Sequence, residues 1–563
     1  MFRNYLKVAW RNIARNKAFS VINILGLVLG LTCSLLIFLW IKDEYSVDAF
    51  HKNGKELYQV YERSSYDGKM DASYATQGLL AQELKKQIPE IQYASAFDYA
   101  AAPGTQNTFE AGDKINKMSG MFAGADFFSM FSFHLLQGSV KEALSEPSNI
   151  AISRKMAEIF FGSPEKAIGQ TIQFENNETL KVTAVFENVP ANSSLQFDFL
   201  RSWKDYIAQN SWVNNWGNAS PQTFIQLRKD ADAAKVEAKI KNFIYNYQPK
   251  SEGLLTELAL QPFTQRYLYS NFKDGYIDGG RIEYVHLFSI IAIFILLIAC
   301  INFMNLASAR SSKRAKEVGV RKVVGAMRSS LIRQFIGESV LFTLISIFIA
   351  LLLTSLLLPA FNNLTGKHLV LPIRQPFFYV TIVSLLLTTG LVAGSYPAFF
   401  LSSLNPVRVL KGKLQFGRGS AFFRKGLVVF QFALSIILII ATIVIFEQMK
   451  YVQNKNLGYN RDNLIYIPIE GELVKKYDVF KQEAKNNSAI LNISKMRNSP
   501  TYIEHHTNSI SWPGKDPNLN VPFADGVVGY DFVKTMDLHL AAGRDFSKAF
   551  NDSTHYILNE TAV

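Results

Sequence analysis

Seven basic side chains crowd into residues 313–339: Lys313, Arg314, Lys316, Arg321, Lys322, Arg328 and Arg333, against two acids, Glu317 and Glu338. Such a run can meet an acidic partner surface, or it can simply hold a loop on one side of a membrane. Val318, Val320, Val323, Val324, Met327, Leu331 and Ile332 recur through it at roughly helical spacing. That pattern predicts an amphipathic helix lying against the inner face of a membrane. Few other residues could do chemistry. No GxxxxGK[ST] run occurs, so the sequence contains no phosphate-cradling loop. No HExxH, CxxC or GxSxG pattern occurs either, and the adjacent pair His505-His506 has no cysteine or spaced carboxylate near it that would complete a metal site. The expectation is a non-catalytic chain without a metal.

The elements around this segment are hydrophobic runs. The chain has 563 residues, 48% of them hydrophobic. Five runs, 21–41, 285–309, 339–361, 377–401 and 426–446, contain no Asp, Glu, Lys or Arg. Each is long enough to span a bilayer, which takes about 20 apolar residues. The net charge of +13 is not spread evenly. Segments 1–20, 309–333 and 402–425 carry 19 Lys/Arg and one acid, leaving the remainder at −5. The excess charge therefore flanks the hydrophobic runs, which argues against nucleic acid and places those segments in the cytoplasm. Residues 42–284 and 447–563 are then extracytoplasmic. The uncharged spans argue against an ion-coupled transporter or a voltage sensor. Cys33 and Cys300 both fall inside spans, so no disulfide framework supports the outer parts.

Taken in order, residues 1–20 read as a helix in the cytoplasmic interface. Arg3, Lys7, Arg11 and Arg15 recur every four residues, with Phe2, Leu6, Trp10 and Ile13 on another face. Within 42–284, strands are predicted at 57–61 and 179–186, and helices at 76–88 and 235–245. This order suggests an α+β sandwich of small lobes, with Trp203, Trp212 and Trp216 read as core. Gly26, Gly30, Ala299, Gly390 and Gly394 are small enough for close helix packing. Pro397 and Pro406 bracket a bend at the end of the fourth run, and 402–425 is a basic linker. Gly124-Ala-Asp-Phe127 with His134, Leu135 and Gly138 recurs as Gly529-Tyr-Asp-Phe532 with His539, Leu540 and Gly543. The constant offset predicts an internal repeat, with the second copy, 447–563, incomplete.

The run KEVGVRKVVGA followed by QFIGES resembles the segment after the second membrane helix of FtsX-like and MacB-like permeases of ATP-binding-cassette (ABC) systems. The stretch from Tyr396 to Gly412, with its Pro-Ala, Leu-Ser and Leu-Lys-Gly steps, is similar to that family's fourth-helix ending. Most of 43–280 resembles the MacB-like periplasmic core domain. The resemblance implies a bacterial inner-membrane permease subunit whose N-terminus is cytoplasmic. It implies a coupling segment at 310–338, carried by Lys316, Glu317, Val318, Gly319, Arg321, Lys322, Val324, Gly325 and Ala326. A second cytoplasmic motif would comprise Pro397, Leu401, Ser402, Pro406, Leu410, Lys411 and Gly412. The implied partners are ABC ATPase subunits in trans, which would bind the ATP and Mg, together with membrane lipid and a periplasmic adaptor or substrate protein. The charges of the coupling helix are expected to face the ATPase, and its valines the helix bundle. The implied output is movement of the outer domains for efflux or for export of lipoprotein or periplasmic substrates. Two other readings are a transmembrane regulator of an extracytoplasmic enzyme and an ATP-independent receptor.

Overall fold

The computed structural model describes residues 11, 17–66, 69–100, 106–250, 254–309, 311–403, 418–501, 503, 506, 507, 510–516, 521 and 523–563. Residues 1–10 and 12–16 of the expected N-terminal helix and 404–417 of the expected basic linker lie outside this set, and the linker's last residues, 418–425, are helical rather than a linker. The chain divides into two compact units. One joins Met1–Ser46 to Arg281–Gln453, and the other joins Val47–Gly280 to Asn454–Val563.

The first unit is helical: α1 (Lys17–Ser46), α2 (Arg281–Ala309), α3 (Ser311–Val323), α4 (Arg328–Thr365), α5 (Pro376–Ser403) and α6 (Arg418–Asn454). All except α3 contain a stretch long and apolar enough to cross a membrane, five candidate spans among the described residues. They are helical because hydrocarbon offers no partners to backbone N–H and C=O groups, so each segment must pair its own. Leu27, Leu31 and Leu35 of α1 pack with Ala299, Cys300 and Phe303 of α2, Phe342 and Ile347 of α4, and Ala393 of α5. Glycine sets the approach at the crossings. A Cβ at Gly30 would lie 2.6 Å from that of Ala299, and one at Gly394 would lie 2.9 Å from that of Ser339. Some buried hydroxyls bond within their own helix, Thr343 donating to the Ser339 carbonyl and Ser346 to that of Phe342, while Ser34 of α1 donates across to the Ala292 carbonyl of α2. Among the described hydrophobic residues of α6, only Leu434 is buried.

The second unit is built on a mixed sheet. Its strands are β1 (Leu57–Tyr66), β2 (Lys69–Ser73), β3 (Ile91–Tyr99), β4 (Asn107–Ala111), β5 (Lys114–Met118), β6 (Gly120–Ala123), β7 (Leu135–Gly138), β8 (Asn149–Ser153), β9 (Thr171–Phe174), β10 (Glu178–Phe186), β11 (Phe199–Ser202), β12 (Gln222–Leu227) and β13 (Leu254–Pro262). The order across the sheet is β13-β1-β12-β3-β6-β11-β8-β10-β9-β4-β5, with β2 beside β1 and β7 beside β10. Most pairs are antiparallel, but β6–β11 and β8–β10 are parallel. One lobe packs Val60, Ile225 and Leu258 of the sheet on helices Leu80–Gln87 and Ala233–Ile240. The other packs Ile150, Ile152 and Val182 on helix Arg154–Phe161. On the opposite face of the sheet, set by the alternation of Phe224 with Ile225 and of Ala151 with Ile150 and Ile152, lies a phenylalanine-rich core that includes Phe127, Phe131, Phe133, Phe186, Phe197, Phe224 and Phe263.

The predicted strands lie within β1 and β10, but both predicted helices are shorter than their sequence patterns. Thr76 and Gln77 are taken by bonding across the chain, Thr76 N–H donating to the Pro221 carbonyl and Gln77 bridging Ala219, so the first helix starts at Leu80. The second ends at Ile240 and gives way to a 3₁₀ turn at Phe243–Asn246. The tryptophans are not all core. Trp203 and Trp216 are half-buried, stacked on Tyr206 and Tyr247, while Trp212 is 38% exposed. The repeated stretches share local form: short helices follow Asp126 and Asp531, and Gly138 and Gly543 have φ of +86° and +84°.

His51 is buried among Phe50, Phe131, Phe133 and Phe263. Its Nδ1 accepts the Ser132 N–H, which fixes the neutral ring. Burial pushes the imidazole from its usual 6.5 down to about 4. The unfolded chain therefore binds the proton more readily, and stability falls as pH drops from 6.5 towards 4, by up to about 3 kcal/mol. Thermal unfolding of the detergent-solubilised protein should show that loss, and His51→Leu should flatten it. A Gly30→Val substitution should separate α1 from α2 and cost about 1–3 kcal/mol. Gly337→Val, where an added Cβ meets nothing within 4 Å, should leave the same melting curve in place.

Candidate functional site

The segment singled out by its charge forms a helix–turn–helix. Helix α3 ends in a closed cap: Gly325 N–H donates to the Lys322 carbonyl and Ala326 N–H to that of Arg321, with Gly325 at φ +98°. This doubly bonded cap needs a left-handed residue, the role glycine fills without strain. Met327 is extended, and α4 starts at Arg328. Leu331 and Ile332 thus belong to a different helix from Val318, and the predicted single apolar face does not form.

Three of the basic side chains, Arg314, Arg321 and Lys322, find partners on neighbouring elements, while Lys316, Arg328 and Arg333 are exposed. Arg321 bonds Glu317 through one nitrogen, at 2.6 Å, and Gln334 through another. Gln334 Nε2 donates to Glu338 Oε1 at 3.3 Å, and Arg314 closes on Glu338 Oε2 at 2.6 Å. Glu338 and Gln334 are both buried. These links tie α3 to the first turns of α4, and the guanidinium of Arg314 also lies over the Phe335 ring. A buried carboxylate needs this company, because leaving it unpaired would be costly.

The second motif meets the first at this point. Lys322 Nζ donates to the Ser402 carbonyl at 2.6 Å, and Arg328 Nε reaches Ser402 Oγ at 3.4 Å. Burial, and then the Arg328 charge, hold the Lys322 ammonium below its ordinary pKa. Under these bonds Val318, Leu331 and Phe335 pack on Ala398 and Leu401. Pro397 and Gly319 are buried beside them, and Lys316 is exposed. Pro406, Leu410, Lys411 and Gly412 lie outside the described residues.

The expected polarity of the helix is therefore largely reversed. Of its valines only Val318 is turned in. Val320, Val323, Val324 and Met327 are 52%, 63%, 82% and 74% exposed. The arginines hold the turn together, and an apolar knuckle faces away from the bundle. Sequence reasoning missed Gln334 and the Ser402 carbonyl, which are too distant in the chain to read from spacing. The Gly325-Ala326 step was a readable helix stop that would have separated the two apolar sets.

Two family models match the chain. The MacB-like periplasmic core domain family matches residues 20–243, and the FtsX-like permease C-terminal family matches residues 289–406. The chain is 25% identical over 291 residues to the macrolide export ATP-binding/permease protein MacB of Agrobacterium fabrum, covering 51% of this chain and 42% of that protein. It is 22% identical over 426 residues to the protein of the same name from Burkholderia pseudomallei, covering 73% and 60%. It thus spans less than two thirds of either relative. The solved periplasmic region of MacB from Actinobacillus actinomycetemcomitans aligns with a TM-score of 0.27 and 13% identity, covering 36% of this chain and 88% of that one.

Glu338→Ala should strand the Arg314 guanidinium on the α3–α4 face. Arg314 keeps some solvent contact, so the expected loss is on the order of 2 kcal/mol, below that of a fully buried pair. Hydrogen exchange should rise across 311–323 in this variant and stay unchanged in Val324→Ser.

Proposed function

This chain belongs to the MacB-like/FtsX-like ABC transporter permease family, and we propose that it couples ATP hydrolysis by a separate ATPase to movement of its extracytoplasmic domain. Permeases of this family work with ABC ATPase partners. Membrane-spanning helices together with this family imply an inner-membrane protein with a periplasmic domain. The observation that carries the reading is the turn at 311–331, whose Arg314, Arg321 and Lys322 bind inward and whose Val320, Val323, Val324 and Met327 stand outward. A rigid apolar knuckle rimmed by Lys316 and Glu317 fits a hydrophobic groove on an ATPase, with the polar rim setting orientation.

In this reading the coupling residues are Lys316, Glu317, Val318, Gly319, Arg321, Lys322, Val324, Gly325 and Ala326, in two roles. Val324 with Val320, Val323 and Met327 makes the contact. Arg321, Lys322, Gly325 and the buried Val318 hold its shape. Pro397, Leu401 and Ser402 form the seat on which the turn rests. The N-terminus and this turn are cytoplasmic, and residues 42–284 and 447–563 are outside, the latter as a second copy of the first domain. The output is efflux or export of lipoprotein or periplasmic substrates.

The test is co-purification of the tagged chain, in mild detergent, with its co-expressed ABC ATPase. The parent should retain an ATPase that hydrolyses ATP. A Val323→Asp, Val324→Asp variant with an unchanged melting curve should lose it by tenfold or more. If this variant retains the ATPase as well as the parent does, the knuckle is not the docking surface.

A further inference from the structure

The outer end of the helical unit carries a second fastening. Helix α4 runs for 38 residues from the turn just described, about 57 Å at 1.5 Å per residue. It closes at Gly366, φ +65°, and the next residue, Lys367, turns back onto the last turn of α1. Its Nζ lies 2.6 Å from Glu44 Oε1 and also bonds Asp43 Oδ2. The ammonium sits 5.9 Å from the centre of the Trp40 ring. The Glu44 side chain is 1% exposed and that of Lys367 17%.

The chain around Lys367 is held to match. Asn362 Nδ2 donates to the Leu369 carbonyl at 3.0 Å, and Leu369 N–H donates to Asn362 Oδ1 at 3.1 Å. Leu369 packs with Leu39 of α1 and Leu358 of α4. Lys42 Nζ donates to Gln375 Oε1 at 2.8 Å. Two adjacent acids on one helix end would repel each other, and one of them is buried. A single ammonium between them relieves both conditions at once. An apolar contact could close this corner, but it would allow sliding. An ion pair with one buried member resists partial displacement, because the intermediate state leaves a carboxylate unpaired out of water.

We propose that Lys367 is the positioning residue that makes α4 and α1 move together, so that displacement of the turn at 311–331 reaches Ser46, the last residue before the extracytoplasmic domain. This rests on the ATPase-coupled reading above. One end of α4 takes the push, and Lys367 hands it to the helix from which the domain continues.

Spin labels at Tyr45→Cys and Leu364→Cys, both exposed positions, in a Cys33→Ala, Cys300→Ala chain, report the clasp. The parent should give a narrow distance distribution, with or without ATP and vanadate on the ATPase complex. Lys367→Glu should broaden it, and adding Asp43→Lys and Glu44→Lys should restore it. Hydrogen exchange across 47–280 provides the second readout. In the parent complex it should change on ATP binding. In Lys367→Glu it should not, although the ATPase stays bound and hydrolyses ATP within twofold of the parent rate. The charge-swapped variant should recover the response, and the retained ATPase binding and turnover of Lys367→Glu distinguish lost transmission from a general loss of stability. A narrow distribution in Lys367→Glu, or an intact exchange response with the ATPase bound, overturns the inference alone. Absence of any ATPase from the parent overturns the permease reading, and the transmission role with it.

Discussion

Everything in the helical unit follows from the lack of hydrogen-bonding partners in hydrocarbon. Backbone groups there must pair within their own segment, which makes each span a helix and forces polar contacts to its ends. The buried hydroxyls of Ser339, Thr343 and Ser346 obey the rule by bonding back to carbonyls four residues earlier. Within the spans, contact is left largely to shape, and glycines such as Gly30 and Gly394 provide it. Specific fastening is concentrated at the two ends, although mid-span the Ser34 hydroxyl of α1 also donates to the Ala292 carbonyl of α2 at 3.2 Å. At one end Arg314, Arg321, Gln334 and Glu338 join α3 to α4. At the other, Lys367 joins α4 to α1.

The same rule explains what could be read from the sequence. Spans were legible because runs without charge are rare in soluble cores, and each of the five runs lies inside one long helix. The basic segment was legible as a distinct helical element between two spans. Its orientation was not. The spacing of Val318, Val320, Val323 and Val324 describes a face but does not say what that face meets. Arginine was assigned to the outside by default, yet Arg314 and Arg321 find acids and amides on the neighbouring helix. The Lys367–Glu44 pair spans more than 300 positions, so no local pattern could announce it.

In the outer domain, strands with clear alternation such as β10 were legible, whereas the order of the sheet was not. That order places β1 between β12 and β13 and brings together residues nearly 200 positions apart, as in the Arg63–Glu257 pair. Helix lengths were overestimated where tertiary bonding competed for the first residues, as at Thr76. His51 gave no signal at all, since only the fold surrounds it with phenylalanine.

The cap at Gly325 has a thermodynamic meaning beyond geometry. A Cβ there would touch nothing, so the bend is dictated by the backbone itself rather than by crowding from neighbours. Two backbone hydrogen bonds and a conformation natural only to glycine hold it before any encounter. The exposed valines are therefore already ordered, and little conformational entropy remains to be lost when another surface closes over them. Association at this point is expected to be fast and to need no folding step, so its strength would reside in the area covered rather than in any rearrangement.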